Sequence, residues 1–182
     1  IHPFGDGNGR TARLLEFEAL LSSGVPAPSS QLLSNHYNQT RTEYYRQLDA
    51  TNKSGGDIFP FIVYALQGFV DGLFEQLDLI RAQQLHVHWM DYIHSAFSNK
   101  DSAPEVRRRR FVVDLSNMVD PVPITKARHI SPRIAEAYAS LTEKTVFRDV
   151  NTLIKRGMVI KTAEGIVANK GLMQAFLPPK VP

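Results

Sequence analysis

The chain has 182 residues, of which 43% are hydrophobic, and a formal net charge of +3, so it can form one medium-sized domain or two small ones. The absence of cysteine excludes disulfides and thiolate metal sites, and it fits a reducing cytoplasm, where we expect the protein. No apolar run approaches the roughly 20 residues needed to span a bilayer, and no signal peptide is visible, so no membrane partner is expected.

The first pattern along the chain is the glycine-rich segment Gly5–Gly9, which precedes a predicted helix. Apolar residues recur at helical spacing after Arg10, and the run ends at Ser23-Gly24. The segment therefore lies at the entrance of a helix, where free backbone N–H groups and the positive end of the helix dipole favour phosphate binding. A glycine turn that leads into an ordinary helix is the alternative interpretation.

Four side chains around this segment have the chemistry that a phosphate site needs. Asp6 can hold a hard cation such as Mg²⁺, and Arg10 and Arg13 share a helix face and offer forked donors to phosphate oxygens. His2 titrates near neutral pH and can accept a proton from an attacking hydroxyl. The segment is not a Walker A loop, because no Gly-Lys-Ser/Thr follows, and it lacks the dinucleotide-binding glycine spacing.

The segment from His2 to Arg13 resembles the signature of the Fic family, His-x-Phe-x-(Asp/Glu)-Gly-Asn-Gly-Arg-x-x-Arg, and matches it at every defined position. Families with this signature mostly transfer AMP from ATP to a Ser, Thr or Tyr hydroxyl of a target protein. The resemblance implies a mainly α fold, in which the C-terminal half of a Fic-type helical core precedes a small winged helix domain with a two-stranded β wing, as in many bacterial members.

The resemblance also implies a role for each position of the signature. His2 would deprotonate the target hydroxyl, and Asp6 would hold Mg²⁺ on the α- and β-phosphates of ATP. Gly7, Asn8 and Gly9 would form the anion hole, with Asn8 on the α-phosphate. The implied catalytic residues are His2, Asp6, Asn8 and Arg10.

The remaining positions of the signature complete the implied ATP site. Arg10 would bind the outer phosphates and Arg13 the γ-phosphate, while Phe4 would anchor the loop in the core. In Fic proteins a Tyr and an Asn further along commonly line the adenine pocket, and Tyr45 and Asn52 are the matching choices here, with Tyr44 as the alternative tyrosine. Equally, Tyr45 can be a core side chain of an amphipathic helix and Asn52 a helix end.

The middle of the chain predicts two more helices. Pro60 can open a helix whose apolar positions continue to Ile80. A second stretch, about Ala82 to Phe97, is expected to connect two modules, and residues 98–104 form a predicted linker. The predicted organisation is the C-terminal part of a Fic core at residues 1–82, a connecting helix and linker at 83–103, and a winged helix-turn-helix domain at 104–182.

Charge is distributed unevenly between these modules. Residues 1–103 carry a net charge of −4 and residues 104–182 a net charge of +7, which indicates modules with different partners. The run Arg107–Arg110 precedes apolar residues at helical spacing and is expected to open an amphipathic helix with a solvated basic face. A localisation signal or a nucleic-acid patch is the alternative.

The last part of the chain predicts two helices and a hairpin. Ser131 is a predicted N-cap before Pro132, and Thr142 is a predicted second N-cap. The helix after Thr142 should end at Gly157. Its predicted inward side chains are Val146, Phe147, Val150, Leu153 and Ile154. Residues 159–161 and 166–168 are predicted as the two strands of a wing.

If this module binds DNA, three residues near the start of its second helix, Lys144, Thr145 and Arg148, would face the major groove. Lys155, Arg156 and Lys161 would contact phosphates. Winged helices also serve as protein-docking modules, so DNA and protein partners both stay open.

The leading hypothesis is a protein adenylyltransferase that uses ATP and Mg²⁺. The alternative is a DNA-binding transcriptional regulator whose Fic part is a nucleotide sensor or an inactive relic, and removal of AMP from a modified target is a third possibility. In the family, helices before the motif complete the core. We therefore expect residues 1–22 to pack against a missing N-terminal Fic segment or a second copy of the chain.

Overall fold

The computed structural model describes residues 3–177, which are mainly helical with one small antiparallel sheet. The chain divides into two compact units between Ile80 and Arg81, called unit 1 and unit 2 below. The elements are α1 (Asn8–Ser22), α2 (Ala27–Ser30), α3 (Leu32–Gln39), α4 (Arg41–Lys53), α5 (Phe59–Ala96), α6 (Ala103–Leu115), α7 (Pro132–Tyr138), α8 (Glu143–Lys155), β1 (Val159–Lys161) and β2 (Ile166–Ala168), with 3₁₀ helices at Ile124–His129 and Lys170–Phe176. Within residues 3–177 no helix combines the length and apolar character that a membrane span requires.

Helix α1 confirms the helix predicted after the glycine-rich segment. Gly7 occupies its N-cap with φ 85°, a left-handed conformation that favours glycine. The first intrahelical bond runs from the Thr11 N–H to the Gly7 carbonyl at 3.0 Å. At the other end the Gly24 N–H bonds to the Leu21 carbonyl at 2.9 Å, with φ 87° at Gly24.

Helix α5 is one continuous helix where the sequence predicted two. No Gly or Pro occurs between Ile80 and Gln84, and most residues there are good helix formers, so nothing interrupts the backbone hydrogen bonds. The stretch that was expected to connect two modules contributes three fully buried side chains to the core of unit 2. These are Trp89, Ile93 and Phe97.

The interior of unit 1 is an aromatic cluster centred on Tyr37 of α3. This side chain is buried, and the Tyr44 ring lies 4.7 Å from it, with Phe61 at 6.0 Å and Tyr64 at 6.1 Å between ring centroids. Gly68 allows α5 to pass close to α3, because a Cβ at this position would lie 2.2 Å from the His36 ring.

The interior of unit 2 is a continuous hydrophobic core between α6, α7, α8 and the sheet. Val159 pairs with Ala168 and Lys161 with Ile166 in the predicted antiparallel hairpin, which confirms the two strands. Val122 adds an isolated bridge to Ile166, with backbone N–O distances of 3.0 and 2.8 Å. The largest buried side chains of α6 to α8 in this core include Phe111, Leu115, Ile134, Tyr138, Val150 and Leu153.

The two predicted N-caps differ in outcome. Ser131 caps α7 as predicted, because its Oγ accepts the Ile134 N–H at 3.2 Å. Thr142 occupies the N-cap of α8, but its hydroxyl lies 3.3 Å from the Thr145 hydroxyl and does not accept a backbone N–H. Phe147 was predicted to face inward and is 41% exposed. This prediction was wrong because Val146 and Val150 already occupy the inward face of α8.

The run Arg107–Arg110 does not form the predicted solvated basic face along its whole length. The guanidinium groups of Arg107 and Arg108 bind the carboxylate of Asp149 at 2.7 and 2.8 Å, and Asp149 is fully buried. The Tyr138 hydroxyl donates to the same carboxylate at 3.1 Å. A buried aspartate requires such partners. The sequence of α6 does not indicate that an acid on another helix pairs with its arginines.

Candidate functional site

The side chain of Asn8 closes the glycine-rich turn in front of α1. Its Nδ2 donates to the Phe4 carbonyl at 2.7 Å, and its Oδ1 accepts the Phe4 N–H at 3.0 Å. A side-chain amide carries two N–H donors, so this clamp uses one of them. Asn8 therefore fixes the shape of the turn through contacts that the sequence did not predict.

The N-terminus of α1 combines backbone donors with two guanidinium groups. Asn8, Gly9 and Arg10 precede the first intrahelical bond, so their N–H groups point out of the helix end. The Arg10 Nη2 lies 3.5 Å from where a Cβ of Gly7 would stand, and the Arg13 Nη1 lies 3.6 Å from the corresponding point at Gly9. Both cations therefore fold back over the glycines, beside donors that suit an anion.

Asp6 lies at the edge of this helix end and is paired with Arg10. The Arg10 Nη2 contacts its Oδ2 at 3.1 Å, and its Oδ1 accepts the Gly7 N–H at 2.6 Å. The Asp6 side chain is 93% exposed, and such exposed pairs contribute little stability. A ligand can therefore separate the two charges at small cost.

Two further residues of the signature, His2 and Phe4, do not take part in the contacts described so far at this helix end. His2, predicted as the base, lies outside the described residues. Phe4 was expected to be a core anchor and is instead 54% exposed, so that prediction was wrong. Among residues 3–177 no group of three or more His, Asp or Glu side chains is arranged to hold a metal ion.

Two adjoining depressions, named here the two parts of the groove, are lined by residues of α1, α3 and α4. Its first part, about 380 Å³, contains Arg10 and Arg13, and its second part, about 410 Å³, contains Arg13 and Tyr45. The two parts share Arg13, Ser34 and Asn35. The second part is lined by Arg13, Ser34, Asn35, Tyr37, Asn38, Arg41, Tyr44 and Tyr45.

The groove separates the two residues chosen for an adenine pocket. Tyr45 lines it and is 54% exposed, so it is not a core side chain. Asn52 lies near the end of α4 and lines neither part of the groove. Asn35 and Asn38 of α3 line it instead. Sequence reasoning missed them, although their three-residue spacing places them on one face of a helix.

One acid lies close to the arginines of the groove. The Tyr37 hydroxyl donates to Glu16 Oε1 at 3.0 Å. Partial burial raises the pKa of Glu16, and the hydrogen bond from Tyr37 and the charge of Arg13 oppose that rise. Burial and the neighbouring Glu16 charge raise the pKa of Tyr37, so its hydroxyl remains a donor at neutral pH.

The exposed side of α8 forms a second candidate site, in unit 2. A shallow depression of about 660 Å³ contains the three residues predicted to face DNA, Lys144, Thr145 and Arg148. Asn151 and Lys155 line the same depression. Arg156, predicted as a phosphate contact, forms two bonds of 2.7 and 2.8 Å with Glu105. Glu105 of α6 is partly buried, and the phosphate contact of Arg156 stays a prediction.

About a third of the chain is similar in sequence to known proteins. Protein adenylyltransferase fic-1 of Caenorhabditis elegans is 44% identical over 64 residues, which are 35% of this chain and 11% of that protein. Protein adenylyltransferase Fic of Nematostella vectensis is 47% identical over 62 residues (34% and 13%), and that of Aedes aegypti is 45% identical over 62 residues (34% and 11%). No family model and no solved structure matches the chain.

Over this region the chain is similar to Fic-type protein adenylyltransferases. The matched region is roughly a ninth of the length of these relatives. Their names describe transferases that attach AMP to proteins, and AMP transfer implies ATP as the donor and a protein as the target.

Proposed function

We propose that this chain is the C-terminal half of a Fic-type catalytic core, followed by a winged helix domain, and that it transfers AMP from ATP to a Ser, Thr or Tyr hydroxyl of a target protein. The observation that carries the proposal is the N-terminus of α1, where outward N–H groups lie beside the guanidinium groups of Arg10 and Arg13. Two cations and a helix end at one point form a strong anion site.

The proposed chemistry is an in-line displacement at the α-phosphorus of ATP. The N–H groups of Asn8, Gly9 and Arg10 would bind the phosphates, and the guanidinium groups would neutralise the charge that develops on the leaving pyrophosphate. The second N–H of the Asn8 amide is the proposed donor to the α-phosphate. His2 would take the proton of the attacking hydroxyl, a role that rests on the signature in the sequence.

Asp6 is the proposed residue for Mg²⁺. This ion usually takes one or two protein carboxylates together with substrate phosphates, and Asp6 offers an exposed carboxylate beside the phosphate site. The residues present therefore fit the ion. When bound, Mg²⁺ would neutralise phosphate charge, and the Asp6 contact with Arg10 would open to free the guanidinium for the nucleotide.

The test is transfer of label from ATP labelled at the α-phosphate, using the full-length gene product with Mg²⁺, with and without cell extract. We expect labelled protein from the unsubstituted form and at least a hundredfold less from His2→Ala and Arg10→Ala. Arg46→Ala is the matched control, because Arg46 is an exposed arginine paired with Glu43 on α4. Label that persists in Arg10→Ala would contradict the proposed site, whereas release of AMP from a modified target would reverse the direction of the reaction.

A second proposed function is DNA binding through α8. The order α7, α8 and hairpin is typical of a winged helix-turn-helix, and the exposed side of α8 presents Lys144, Arg148 and Lys155 around one depression. Lys144, Thr145 and Arg148 are the proposed base-facing residues. In this arrangement the Fic part would serve as a nucleotide sensor for a transcriptional regulator.

This second function is tested with a DNA duplex of mixed sequence. Lys155→Ala, at a residue predicted to contact phosphate, should weaken binding and reduce the salt dependence by about one phosphate contact. Lys126→Ala, which removes the same charge from an exposed site outside α8, should leave that dependence unchanged. Equal effects of both substitutions would indicate attraction by net charge alone, and a protein would then be the better candidate partner.

The exposed apolar residues of α1 support a further part of the proposal. Leu14 and Leu15 are 64% and 65% exposed, so we propose that a companion Fic segment or a second copy packs on residues 1–22. Hydrogen exchange of α1 should slow when the full-length product replaces the 182-residue chain. Equal exchange rates at any protein concentration would contradict both partners.

A further inference from the structure

Helix α8 carries one large apolar side chain on its exposed side. Val146, Val150 and Leu153 of this helix are buried, whereas Phe147 is 41% exposed. Phe147 lines the same depression as Lys144, Arg148 and Asn151. Packing against the core of unit 2 therefore leaves a large part of this aromatic ring available to a partner, among polar side chains of a candidate binding surface.

The depression around Phe147 has the charge of a surface that binds a polyanion. Its lining contains three cations, Lys144, Arg148 and Lys155, and no aspartate or glutamate. Asp149 lies on the same helix, but its carboxylate is fully buried and bound by two arginines of α6. Lysine is depleted in the centre of protein–protein interfaces, whereas phosphates attract it, so the lining fits DNA better than an apolar protein surface.

Two uncharged side chains of the depression have the chemistry of contacts that distinguish bases. In the major groove an asparagine amide pairs with N6 and N7 of adenine, and an apolar side chain such as phenylalanine contacts the C5-methyl group of thymine. Asn151 and Phe147 both line the depression and lie about one turn apart on α8, which is about 6 Å along the axis. Neighbouring bases of a strand are about 3.4 Å apart, so the two side chains can reach bases about two steps apart.

We infer that α8 recognises A·T base pairs, with Phe147 in contact with a thymine methyl group and Asn151 in contact with the edge of an adenine. This inference rests on the proposed DNA binding through α8, and it adds two base-reading residues to Lys144, Thr145 and Arg148. The methyl contact has a consequence that attraction by charge cannot produce. Uracil pairs with adenine as thymine does and lacks only the C5-methyl group, so its introduction removes this contact alone.

The experiment first enriches a pool of random-sequence duplexes for binding to the full-length protein, and then replaces each thymine of the selected duplex by uracil in turn. We expect a selected site with A·T pairs and about fourfold weaker binding when the contacted thymine becomes uracil, because one buried methyl group is lost. Phe147→Ala should bind the thymine and uracil duplexes equally. Phe176→Ala is the matched control, because it removes another exposed phenylalanine of unit 2 outside α8, and it should retain the fourfold difference.

The adenine contact is tested in the same duplex with 7-deazaadenine, which lacks the N7 acceptor. The unsubstituted protein should bind about fivefold more weakly when the contacted adenine is replaced, because one hydrogen bond of the pair is lost. Asn151→Ala should bind both duplexes equally. Phe147 and Asn151 are exposed, so both variants should keep the thermal stability of the unsubstituted protein, which excludes unfolding as the cause.

The salt dependence of binding separates this inference from the proposed DNA binding. If binding weakens with salt as phosphate contacts require but neither uracil nor 7-deazaadenine changes it, the base contacts are overturned and DNA binding stands. Equal sensitivity to uracil in Phe147→Ala and in the unsubstituted protein would overturn the assignment of Phe147. If no duplex binds and Lys155→Ala has no effect, the proposed DNA binding fails, the inference fails with it, and a protein becomes the candidate occupant of the depression.

Discussion

The two units of the chain bury their side chains to very different extents. In the described part of unit 1 the buried hydrophobic side chains are Tyr37 and Ala65, and the apolar residues Leu66, Val70 and Leu77 of α5 are exposed. Unit 2 has a contiguous core that reaches from Trp89 to Met173. Burial of apolar area is the main source of stability, so unit 2 has the means to fold alone, whereas unit 1 has an incompletely covered interior.

The two units also differ in whether their charged side chains are buried or exposed. In unit 2 charged groups are buried and paired, as Asp149 is with two arginines and a tyrosine. Around the signature in unit 1 they are exposed, as Asp6 and Arg10 are. Exposed charges at a helix end remain free to bind a ligand, whereas buried pairs hold helices together. This difference agrees with the phosphate site proposed at the N-terminus of α1.

Asp149→Ala in unit 2 should have the largest effect on stability among the substitutions that test this difference between the units. The substitution leaves Arg107 and Arg108 mostly buried beside an empty space, and breaking such a network costs about 3–5 kcal/mol of the free energy of unfolding. Thermal and urea denaturation followed by tryptophan fluorescence measure the effect, because Trp89 lies in the core of unit 2.

The control for this prediction is Asp120→Ala, which removes an exposed aspartate of the same unit. It should change the free energy of unfolding by no more than about 0.5 kcal/mol. Equal stability of the two variants would show that the buried network contributes nothing, and the contrast between buried and exposed charge pairs would then be lost.

In unit 1 the second prediction concerns the crossing of α3 and α5. Gly68→Ala places a methyl group 2.2 Å from the His36 ring, and such overpacking costs about 1–3 kcal/mol. At Gly72 the same methyl group meets a Leu32 side-chain carbon at 3.3 Å, which a flexible leucine can accommodate. Gly72→Ala should therefore be neutral or slightly stabilising, because alanine favours the helix by up to about 1 kcal/mol.

Hydrogen exchange of the α5 backbone within unit 1 measures both glycine substitutions. His36→Ala in the Gly68→Ala background should restore protection, because it removes the ring that the new methyl group would strike. If both single substitutions have the same effect, the close approach at Gly68 does not limit the packing of the two helices.

The sequence predicted the local features of the chain well because their causes are local. The helix end after the glycines, the Ser131 cap and the hairpin at residues 159–168 each depend on neighbouring residues. The pairing of Arg107 and Arg108 with Asp149 joins positions about forty residues apart. The periodicity of α6 does not indicate this pairing, so the basic run was expected to be solvated.

The candidate site was likewise predicted where its residues are close in the sequence and missed where they are distant. The motif identified Asp6, Asn8, Arg10 and Arg13 because they are adjacent in sequence, and the structure brings them to one helix end. The groove beyond them depends on where α3 lies against α4, which is a tertiary property. Asn38 was missed for this reason, and Asn52 was chosen from the family pattern although it lies outside the groove.

The smallest expected effect is a difference in pH dependence between one acid in each unit. Hydrogen bonds from Arg156, and to a lesser degree from Arg108, lower the pKa of Glu105 in unit 2 below its usual value of 4.5. Partial burial raises the pKa of Glu16 in unit 1 above the same value. Ionised Glu105 therefore stabilises unit 2, whereas ionised Glu16 destabilises unit 1.

The two substitutions to glutamine should consequently have opposite signs near neutral pH. Glu105→Gln should cost about 1 kcal/mol, and this cost should fade as pH falls below 4.5 and through the lowered pKa, where the native carboxyl is protonated as well. Glu16→Gln should add about 0.5 kcal/mol, a small gain because solvent screens a half-exposed group. That gain should arise above pH 4.5, grow up to the raised pKa and vanish at lower pH.

Urea denaturation across this pH range, followed separately for each unit by hydrogen exchange, measures both effects. The Tyr37 hydroxyl can still donate to the amide oxygen of Gln at position 16, so the hydrogen bond is retained and only the charge is removed. A loss of stability in Glu16→Gln at neutral pH would mean that Arg13 stabilises the ionised carboxylate by more than burial destabilises it. The acid would then belong to the charge balance of the nucleotide groove, and Glu16→Gln should in that case also change the affinity for tripolyphosphate.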